Sequence, residues 1–528
     1  MSFSLRCSLR TGVAALRKFG ADRAGNFAMI AAVAMLPLVG IAGFAVDYSN
    51  MSRVRVQLQQ ALDSAVLAVA QKGSKISDAE AEGIAERFMS GNLDPKYIDL
   101  QVLRSGTSVT VQAKVDVGLY FGGVLGRKSM PVSASSSADV ALLSYEIALV
   151  LDTTGSMRGG KLQAMKDAVT GLIDDISAQV SDKERLKFSL VPFATFVNVG
   201  PQYGPEFDRK GRIKKGTGAE WLDIKGKSDI PQVELKAGIS RFELFHNLGQ
   251  EWKGCVETRM ASKKGDHDVD DTPAVASEKA SMFVPAFAID EPSRDEGYWN
   301  DYIDSEVPVL GGLLGLKLKK YGVQDLLGLV LSPPKNVDIS SGKGPNRGCD
   351  MQPITPLSSD YRDLERKVGE LQANGNTNIM EGVAWGMRVL SPHEPFAGSA
   401  SRNGLQKIMI VLTDGSNVFG NTGNDLGSSY SSFGYLIDGR LDGLTLASSS
   451  VTTRRMNDKT LAACNNAKEK YDIDIYTIRL EEPDVNTGTM LRDCASDPSQ
   501  FFDAPSRSQL KDVFRAIGEK IIELRLSS

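Results

Sequence analysis

Hydrophobic residues dominate one long stretch near the start of the chain. Residues 27–46 (FAMIAAVAMLPLVGIAGFAV) carry no charge, and a stretch of this length is enough to cross a bilayer as one helix. The segment before it has one acidic residue, Asp22, and several basic ones, which are Arg6, Arg10, Arg17, Lys18 and Arg23. By the positive-inside rule, we expect residues 1–26 to be a cytoplasmic basic tail and the chain after Asp47 to be exported.

A cleavable signal peptide is the alternative interpretation of residues 27–46, since Gly43 and Ala45 place small residues at suitable positions. We favour a retained transmembrane helix for two reasons. The apolar stretch is long for a signal peptide, and Pro37 is tolerated within a membrane helix.

A helical period continues beyond residue 46. Apolar side chains recur at helical spacing, at Val54, Leu58, Ala61, Leu62, Ala65, Val66 and Val69. Residues 108–117 then alternate strictly between apolar and polar side chains, which predicts a half-buried antiparallel strand, and residues 132–143 are a second β-like stretch. We therefore predict that residues 47–143 form a helical extension and a small α+β stalk.

A strand, a polar loop and a helix are predicted after residue 144. The aliphatic run of residues 147–151 is typical of a strand buried on both faces of a parallel sheet. Asp152, Thr154 and Ser156 follow at alternate positions, and Gly155 allows the chain to turn. The apolar face of a helix comes next, at Leu162, Met165, Val169, Leu172, Ile173, Ile176 and Val180. Because ligands of open α/β sheets bind at the carboxyl ends of strands, we expect these three oxygen donors to face one point.

The sequence Asp-x-Thr-Gly-Ser at residues 152–156 resembles the metal-ion-dependent adhesion site of von Willebrand factor A (vWA) domains, which has Asp-x-Ser-x-Ser. Two further loops of that family are matched in order. Thr377 lies in the sequence NGNTNI, and Asp414 follows the apolar run of residues 408–412. The resemblance implies an α/β, Rossmann-like fold for residues 144–528, with a mostly parallel sheet flanked by helices and a long insertion at about residues 200–346.

The same resemblance implies a divalent metal centre. Ser156 and Thr154 would coordinate the ion directly, and Asp152, Thr377 and Asp414 would coordinate it directly or through water. A donor set made only of oxygen suits Mg²⁺, or Mn²⁺. In the family, a carboxylate of a partner protein fills an open position on the metal, so the implied activity is protein binding.

A second motif overlaps the first loop. Residues 155–161 (GSMRGGK) fit Gly-x4-Gly-Lys, the beginning of a phosphate-binding P-loop, which needs Ser or Thr next to hold Mg²⁺. Leu162 stands at that position and begins the apolar face of the helix. We therefore interpret Gly159, Gly160 and Lys161 as a loop and a first helical turn rather than a nucleotide site.

The N-terminal region has a resemblance of its own. Residues 22–28 (DRAGNFA), the apolar span, Asp47-Tyr48 and residues 58–65 (LQQALDSA) resemble the TadE/TadG-like membrane proteins of Tad (Flp) pilus assembly. A prepilin peptidase site after Gly25 would have Glu where Ile30 stands, which argues against processing as a pilin. The resemblance implies a single-pass protein of the bacterial inner membrane, with its bulk in the periplasm or at the cell surface, and pilus or pilus-assembly proteins as partners.

The cysteines bear on the compartment. Cys7 lies on the predicted cytoplasmic side and is expected to stay reduced, which leaves an even number in an oxidising space. Three pairings of those four are possible. We predict Cys255 with Cys349, which joins the insertion to the segment that follows it, and Cys464 with Cys494.

Two polar segments complete the pattern. Asp266, Asp268, Asp270 and Asp271 form an acidic cluster, but an EF-hand would need Gly and Glu where Asp271 and Ser277 stand. We expect a solvated acidic turn there. Residues 417–450 are rich in Gly and Ser and follow Asp414, so we expect a mobile loop that borders the metal face.

Overall composition does not favour a nucleic-acid partner, because the net charge is -4 with 24% charged residues. His246, His267 and His393 are the only histidines and lie in no nucleophile motif, so we expect no enzyme.

The leading hypothesis is a membrane-anchored, metal-dependent protein-binding module of pilus assembly. A surface adhesin for external ligands and a structural, pseudopilin-like component with a vestigial metal site are the alternatives.

Overall fold

The computed structural model describes residues 24–72, 76–93, 96–105, 108–139, 144–180, 182–235, 238–262, 265–291, 300–303, 321, 337–339, 342–400 and 404–527. Most of the predicted basic tail, including Cys7, lies outside these residues, as does part of the predicted insertion. The chain divides into two compact units, Met1–Leu142 and Leu143–Ser528, which we call the small unit and the large unit.

One long helix, α1 (Ala24–Gln71), runs through the small unit and confirms the predicted continuous helix. Its apolar side chains between Ile30 and Val46 are mostly exposed, with Leu36 at 75%. From Val54 onward its apolar face is buried, including Leu58 and Leu62. Within the described part of the chain, α1 is the single helix long and apolar enough to cross a membrane.

A three-stranded antiparallel sheet packs against α1. The remaining elements of the small unit are α2 (Asp78–Asn92), β1 (Ile98–Ser105), β2 (Ser108–Gly118) and β3 (Ser129–Asp139), in the sheet order β1-β2-β3. The predicted alternation is confirmed on β2, where Val109, Val111, Ala113, Val115 and Val117 are buried against the helices. The small unit is therefore a helix-and-sheet sandwich, as the α+β prediction requires.

An eight-stranded sheet forms the centre of the large unit. The strands of the large unit, including the separate β8-β9 pair, are β4 (Ser144–Asp152), β5 (Leu186–Phe193), β6 (Val197–Asn198), β7 (Cys255–Val256), β8 (Ala261–Ser262), β9 (Gly265–Asp266), β10 (Thr355–Ser358), β11 (Leu405–Thr413), β12 (Ile473–Leu480) and β13 (Phe501–Ala504). The order in the eight-stranded sheet is β13-β12-β11-β4-β5-β6-β7, with β10 paired to β5. The run from β13 to β5 is parallel, whereas β6, β7 and β10 pair antiparallel. The predicted, mostly parallel α/β sheet is confirmed.

Helices cover both faces of this sheet. They are α3 (Gly160–Ser177), α4 (Arg241–Asn247), α5 (Tyr361–Glu370), α6 (Ile379–Val389), α7 (Ser449–Tyr471), α8 (Val485–Cys494) and α9 (Leu510–Ser527). On β4, Ile147, Leu149 and Leu151 pack with α3, α5 and α9, while Ala148 and Val150 pack with α6, α7 and α8. This is the doubly covered arrangement that a continuous aliphatic strand predicts.

Residues between β6 and β10 contribute to the core. Where the insertion is described, its aromatic residues Trp221, Phe242 and Phe287 belong to the same buried cluster as α6. The Phe283 ring lies 5.0 Å from the ring of Trp385 on α6. The insertion is thus packed into the large unit through an aromatic layer.

The expectation of a solvated acidic turn is wrong for three of its four residues. Asp268, Asp270 and Asp271 are buried, and only Asp266 is exposed. Lys459 Nζ lies 2.6 Å from Asp268 Oδ2, Arg259 Nη2 lies 3.6 Å from Asp270 Oδ1, and His393 Nδ1 lies 3.0 Å from Asp271 Oδ2. Charged and hydrogen-bonding partners, of which Lys459 and His393 come from distant parts of the chain, allow these carboxylates to be buried.

Residues 417–450, which the sequence predicts to be a mobile loop, are anchored by buried aromatic side chains. Phe419, Tyr430, Phe433 and Tyr435 are buried in the core of the large unit. The Gly- and Ser-rich composition reflects tight turns between these anchors, such as the one where Gly434 has a φ of 74°. The segment does border the carboxyl edge of the sheet, because Val418 N–H donates to the carbonyl of Thr377.

Both predicted disulfides are confirmed. Cys255 on β7 is bonded to Cys349, and Cys464 on α7 is bonded to Cys494 at the end of α8. The first closes a sequence separation of 94 residues and the second a separation of 30. Two disulfides in the large unit are typical of an oxidising compartment.

Replacing Cys464 and Cys494 together by serine is expected to lower the free energy of unfolding by about 3–4 kcal/mol, because the unfolded chain regains the freedom of the open loop. Urea unfolding of the full-length protein in detergent, followed by tryptophan fluorescence, measures this loss. Cys7→Ser is the control and should leave the transition unchanged. An unchanged midpoint in the double variant would show that this disulfide adds no stability.

Candidate metal centre

The first loop of the candidate site begins where β4 ends, at Asp152. Asp152 Oδ1 accepts hydrogen bonds from the backbone N–H of Thr154 at 2.8 Å and from its hydroxyl at 2.6 Å. The hydroxyls of Thr154 and Ser156 lie 3.0 Å apart. The loop therefore holds three oxygen-bearing side chains next to one another at the carboxyl edge of the sheet.

The third loop reaches the first because β11 lies parallel and adjacent to β4. Ser156 Oγ donates to Asp414 Oδ1 at 2.6 Å, and Thr413 Oγ1 donates to Asp152 Oδ2 at 2.6 Å. Residues more than 250 positions apart in sequence are thus in direct contact. Because the two neighbouring strands are parallel, their carboxyl ends lie at the same edge of the sheet, and Asp152 and Asp414 are both found there.

The second loop connects α5 to α6 and approaches the first loop from the side. The Gly155 N–H donates to the Gly375 carbonyl at 3.0 Å, and the Asn374 N–H donates to the Thr153 carbonyl at 2.8 Å. Gly375 has a φ of 85°, and a Cβ there would lie 2.9 Å from Thr195 Oγ1, so the position requires glycine. These contacts place Thr377 Oγ1 3.3 Å from Thr154 Oγ1.

All five residues predicted from the sequence therefore lie in one cluster. They are Asp152, Thr154, Ser156, Thr377 and Asp414, and each is within hydrogen-bond distance of another member. Four of them are buried, and Ser156 is exposed to solvent.

Two carboxylates share this buried site. Burial, together with the negative charge of Asp414, raises the pKa of Asp152 to about 6, against the opposing hydrogen bonds from Thr154 and Thr413. Neither aspartate side chain is solvated, since Asp152 and the side chain of Asp414 are both 0% exposed. Two buried like charges favour a cation beside them.

One cation of the protein itself lies in the cluster. Lys161 Nζ, in the first turn of α3, donates to Asp414 Oδ2 at 2.7 Å. Its side chain is 21% exposed. Asp414 is therefore bonded to Ser156 through one carboxylate oxygen and to Lys161 through the other.

The donor set fits a hard divalent ion. Every candidate ligand supplies oxygen, as carboxylate or hydroxyl, and Mg²⁺ and Mn²⁺ prefer such ligands in proteins. The hydroxyls now bond to the carboxylates at 2.6 Å, so the same oxygens are close enough to share one ion. In the described part of the chain, no three or more His, Cys, Asp or Glu side chains are grouped so that they could hold a metal ion, and the candidate centre itself combines two carboxylates with three hydroxyls.

The comparison with protein families gives a match at the N-terminus. Residues 25–72 match the family described as putative Flp pilus-assembly TadE/G-like. The match covers most of α1, the predicted anchor and its helical extension. The chain is therefore similar to Tad pilus-assembly proteins in this region, and no curated protein matches it.

Several solved structures resemble the chain over most of its length. The pilus adhesin SpaC from Lactobacillus rhamnosus GG aligns with 80% of this chain at 12% identity and a TM-score of 0.31, and the chain covers 33% of SpaC. The vWF domain of the type V pili tip protein Mfa5 from Porphyromonas gingivalis aligns with 72% of this chain and over 96% of its own length, at 10% identity and a TM-score of 0.32. The PilB minor pilin from Streptococcus sanguinis aligns with 80% of this chain and 77% of its own, at 10% identity and a TM-score of 0.31. At these TM-scores, the likenesses carry no argument about function.

Sequence reasoning missed two residues of this cluster. Thr413 precedes Asp414 directly, and its position at the end of the β11 strand was a usable signal for a side chain at the site. The sequence places Lys161 in a loop and a first helical turn, which gives no sign of its contact with Asp414. No other local feature of the sequence indicates that Lys161 contacts Asp414, which lies 253 positions later.

Proposed function

We propose that this protein is a membrane-anchored component of Tad (Flp) pilus assembly that binds partner proteins through a divalent metal centre. The observation that carries the proposal is the convergence of oxygen donors from three separated loops, shown by Ser156 Oγ at 2.6 Å from Asp414 Oδ1 and Thr377 Oγ1 at 3.3 Å from Thr154 Oγ1. The resemblance to vWA domains supports the interpretation that these oxygen donors bind a metal ion.

Mg²⁺ or Mn²⁺ bound here would supply a positive centre that accepts an additional carboxylate oxygen from a partner protein. Asp152, Thr154, Ser156, Thr377 and Asp414 are the residues that would hold the ion. Asp152 and Asp414 supply the negative charge, and the three hydroxyl groups complete an oxygen-only donor set. Ser156 is exposed and lies on the solvent side, where a partner can approach.

The anchor is proposed from α1. The exposed apolar surface between Ile30 and Val46 suits a hydrocarbon environment, and the match of residues 25–72 to TadE/G-like proteins supports a pilus context. The basic residues before Phe27 support a cytoplasmic N-terminus in the bacterial inner membrane. The two disulfides support a periplasmic or cell-surface location for the large unit.

Binding rather than catalysis is proposed because the histidines are engaged elsewhere. His246 stacks on Phe207 with ring centroids 4.3 Å apart, and His393 contacts Asp271. His267 Nε2 lies 3.1 Å from Ser262 Oγ, but its Nδ1 is 4.0 Å from Asp270, which is too far for the hydrogen bond that orients a catalytic base.

The proposal is tested by capturing partners with the tagged full-length protein in detergent, from membranes and pili of the bacterium that produces it. In Mg²⁺, pilus or pilus-assembly proteins should be retained and EDTA should release them. Asp414→Ala should retain none, whereas Asp167→Ala, which changes an exposed aspartate on α3, should behave like wild type.

Two results would contradict this function. Capture that is indifferent to EDTA and to Asp414→Ala would support a structural, pseudopilin-like role. Metal-dependent binding to host cells or matrix, with no retention of pilus proteins, would support a surface adhesin.

A further inference from the structure

Among the described residues, Lys161 is the one basic side chain that forms an ion pair with a carboxylate of the candidate centre. Its ammonium group lies 2.7 Å from Asp414 Oδ2, and the Asp414 side chain is 0% exposed. An ion pair with a fully buried carboxylate is far less screened than a surface pair. The lysine therefore contributes directly to the charge balance of the site.

The position of Lys161 on α3 is electrostatically unusual. It lies in the first turn of an eighteen-residue helix that has no acidic residue in that turn. The N-terminal end of a helix carries partial positive charge, which disfavours a lysine. Local helix energetics thus do not account for this residue, whereas the contact with Asp414 does.

We propose that Lys161 is an internal cation that competes with the divalent ion for Asp414 and so sets the metal affinity of the centre. The inference rests on the proposed function, because it concerns the same site. Without a divalent ion, the ammonium balances the charge of Asp414 and preserves the cluster. Binding of the ion is then a displacement, since Asp414 must leave Lys161 or share its charge between two cations.

Partial exposure makes the displacement feasible. The Lys161 side chain is 21% exposed, and its flexible four-carbon stem allows the ammonium group to move towards water. The Asp414 carboxylate has no such freedom, because it is buried at the end of β11. The lysine is therefore the mobile partner of the pair.

Full-length Lys161→Met in detergent tests the inference by two measurements, Mn²⁺ titration followed by electron paramagnetic resonance and thermal unfolding in EDTA. Loss of the competing charge should tighten Mn²⁺ binding roughly 10- to 100-fold, since close charges interact strongly at a partly buried site. The same variant should unfold at a lower temperature in EDTA, because Asp414 then lacks its counter-charge.

Matched variants distinguish the effect of losing the lysine charge from the effect of impaired folding. Lys161→Gln removes the charge but keeps a hydrogen-bond donor, so it should show the same tightening even if Lys161→Met folds poorly. Lys161→Arg keeps the charge and should bind Mn²⁺ like wild type. Lys166→Met, on the same helix, removes a lysine that donates to the Gly369 carbonyl and should alter neither measurement.

The outcomes separate this inference from the proposed function. If wild type binds Mn²⁺ and the neutral variants bind it with equal or lower affinity, the competition is refuted while the metal centre stands. If neither wild type nor any variant binds Mn²⁺, the metal centre itself is refuted and the competition with it.

Discussion

Glu257→Ala is expected to lower the free energy of unfolding of the large unit by about 3–5 kcal/mol, because it removes the shared partner of two buried cations. Glu257 Oε1 lies 2.8 Å from Arg241 Nη1, and Glu257 Oε2 lies 2.7 Å from Arg440 Nη1. The three side chains are between 0% and 8% exposed. The variant would leave both guanidinium groups buried without this carboxylate.

The ionisation of Glu257 follows from the same contacts. Burial alone would raise its pKa, but the charges of Arg241 and Arg440 outweigh burial and hold the pKa below its ordinary value. Tyr430 also donates its hydroxyl to Glu257 Oε1. Glu257 is therefore ionised in the folded protein at neutral pH, and truncation removes a full charge from the cluster.

Urea unfolding of the full-length protein in detergent, followed by tryptophan fluorescence, measures the effect. Glu206→Ala is the matched control, because Glu206 pairs with Lys214 at 2.8 Å on the exposed surface of the same unit. Solvent screens such a pair, so no measurable loss is expected. Equal transitions for the two variants would show that the buried cluster adds nothing to stability.

Asp414→Ala is expected to weaken Mn²⁺ binding by roughly 100-fold or more, because loss of residues that only support metal ligands already costs 10- to 100-fold. Asp414 supplies one of the two buried negative charges and accepts the Ser156 hydroxyl at 2.6 Å. Its removal takes away both an oxygen donor and the charge that favours the ion. Isothermal titration of the full-length protein with Mn²⁺ measures the change.

Two control variants are expected to keep the Mn²⁺ affinity of the wild type. Thr154→Ser keeps the hydroxyl and restores the usual serine of the vWA motif, so it should bind like wild type. Asp512→Ala removes an exposed aspartate on α9 and should also have no effect. Wild-type affinity in Asp414→Ala would exclude Asp414 from the metal site.

The central strands were predictable because their cause is local. The aliphatic run of residues 147–151 can be buried on both sides only in a covered parallel sheet, and the run of residues 408–412 has the same character. The loops that follow such strands lie at one edge of a parallel sheet, and the resemblance to vWA domains predicted that Asp152 and Asp414 meet there. The short strands β6, β7 and β10 have no such period, and the sequence did not reveal their antiparallel pairing.

The wrong expectation for the acidic residues has its origin in long-range pairing of polar and charged side chains. Asp268, Asp270 and Asp271 were expected in solvent because an acidic cluster is usually hydrated. Their partners Lys459 and His393 lie more than 100 positions away in sequence, so the compensation that permits burial is invisible locally. The contacts of Lys161 with Asp414 and of Arg440 with Glu257 escaped prediction for the same reason.

The long helix α1 has a mechanical consequence. Its 48 residues span about 72 Å, more than twice the ~30 Å hydrocarbon thickness of a bilayer. The exposed apolar segment and the face buried from Val54 onward belong to the same helix, in which Pro37 lacks the N–H of one backbone hydrogen bond. In an anchored protein, tension on the small unit would therefore pass into the bilayer along this one helix, with Pro37 as the position most able to bend.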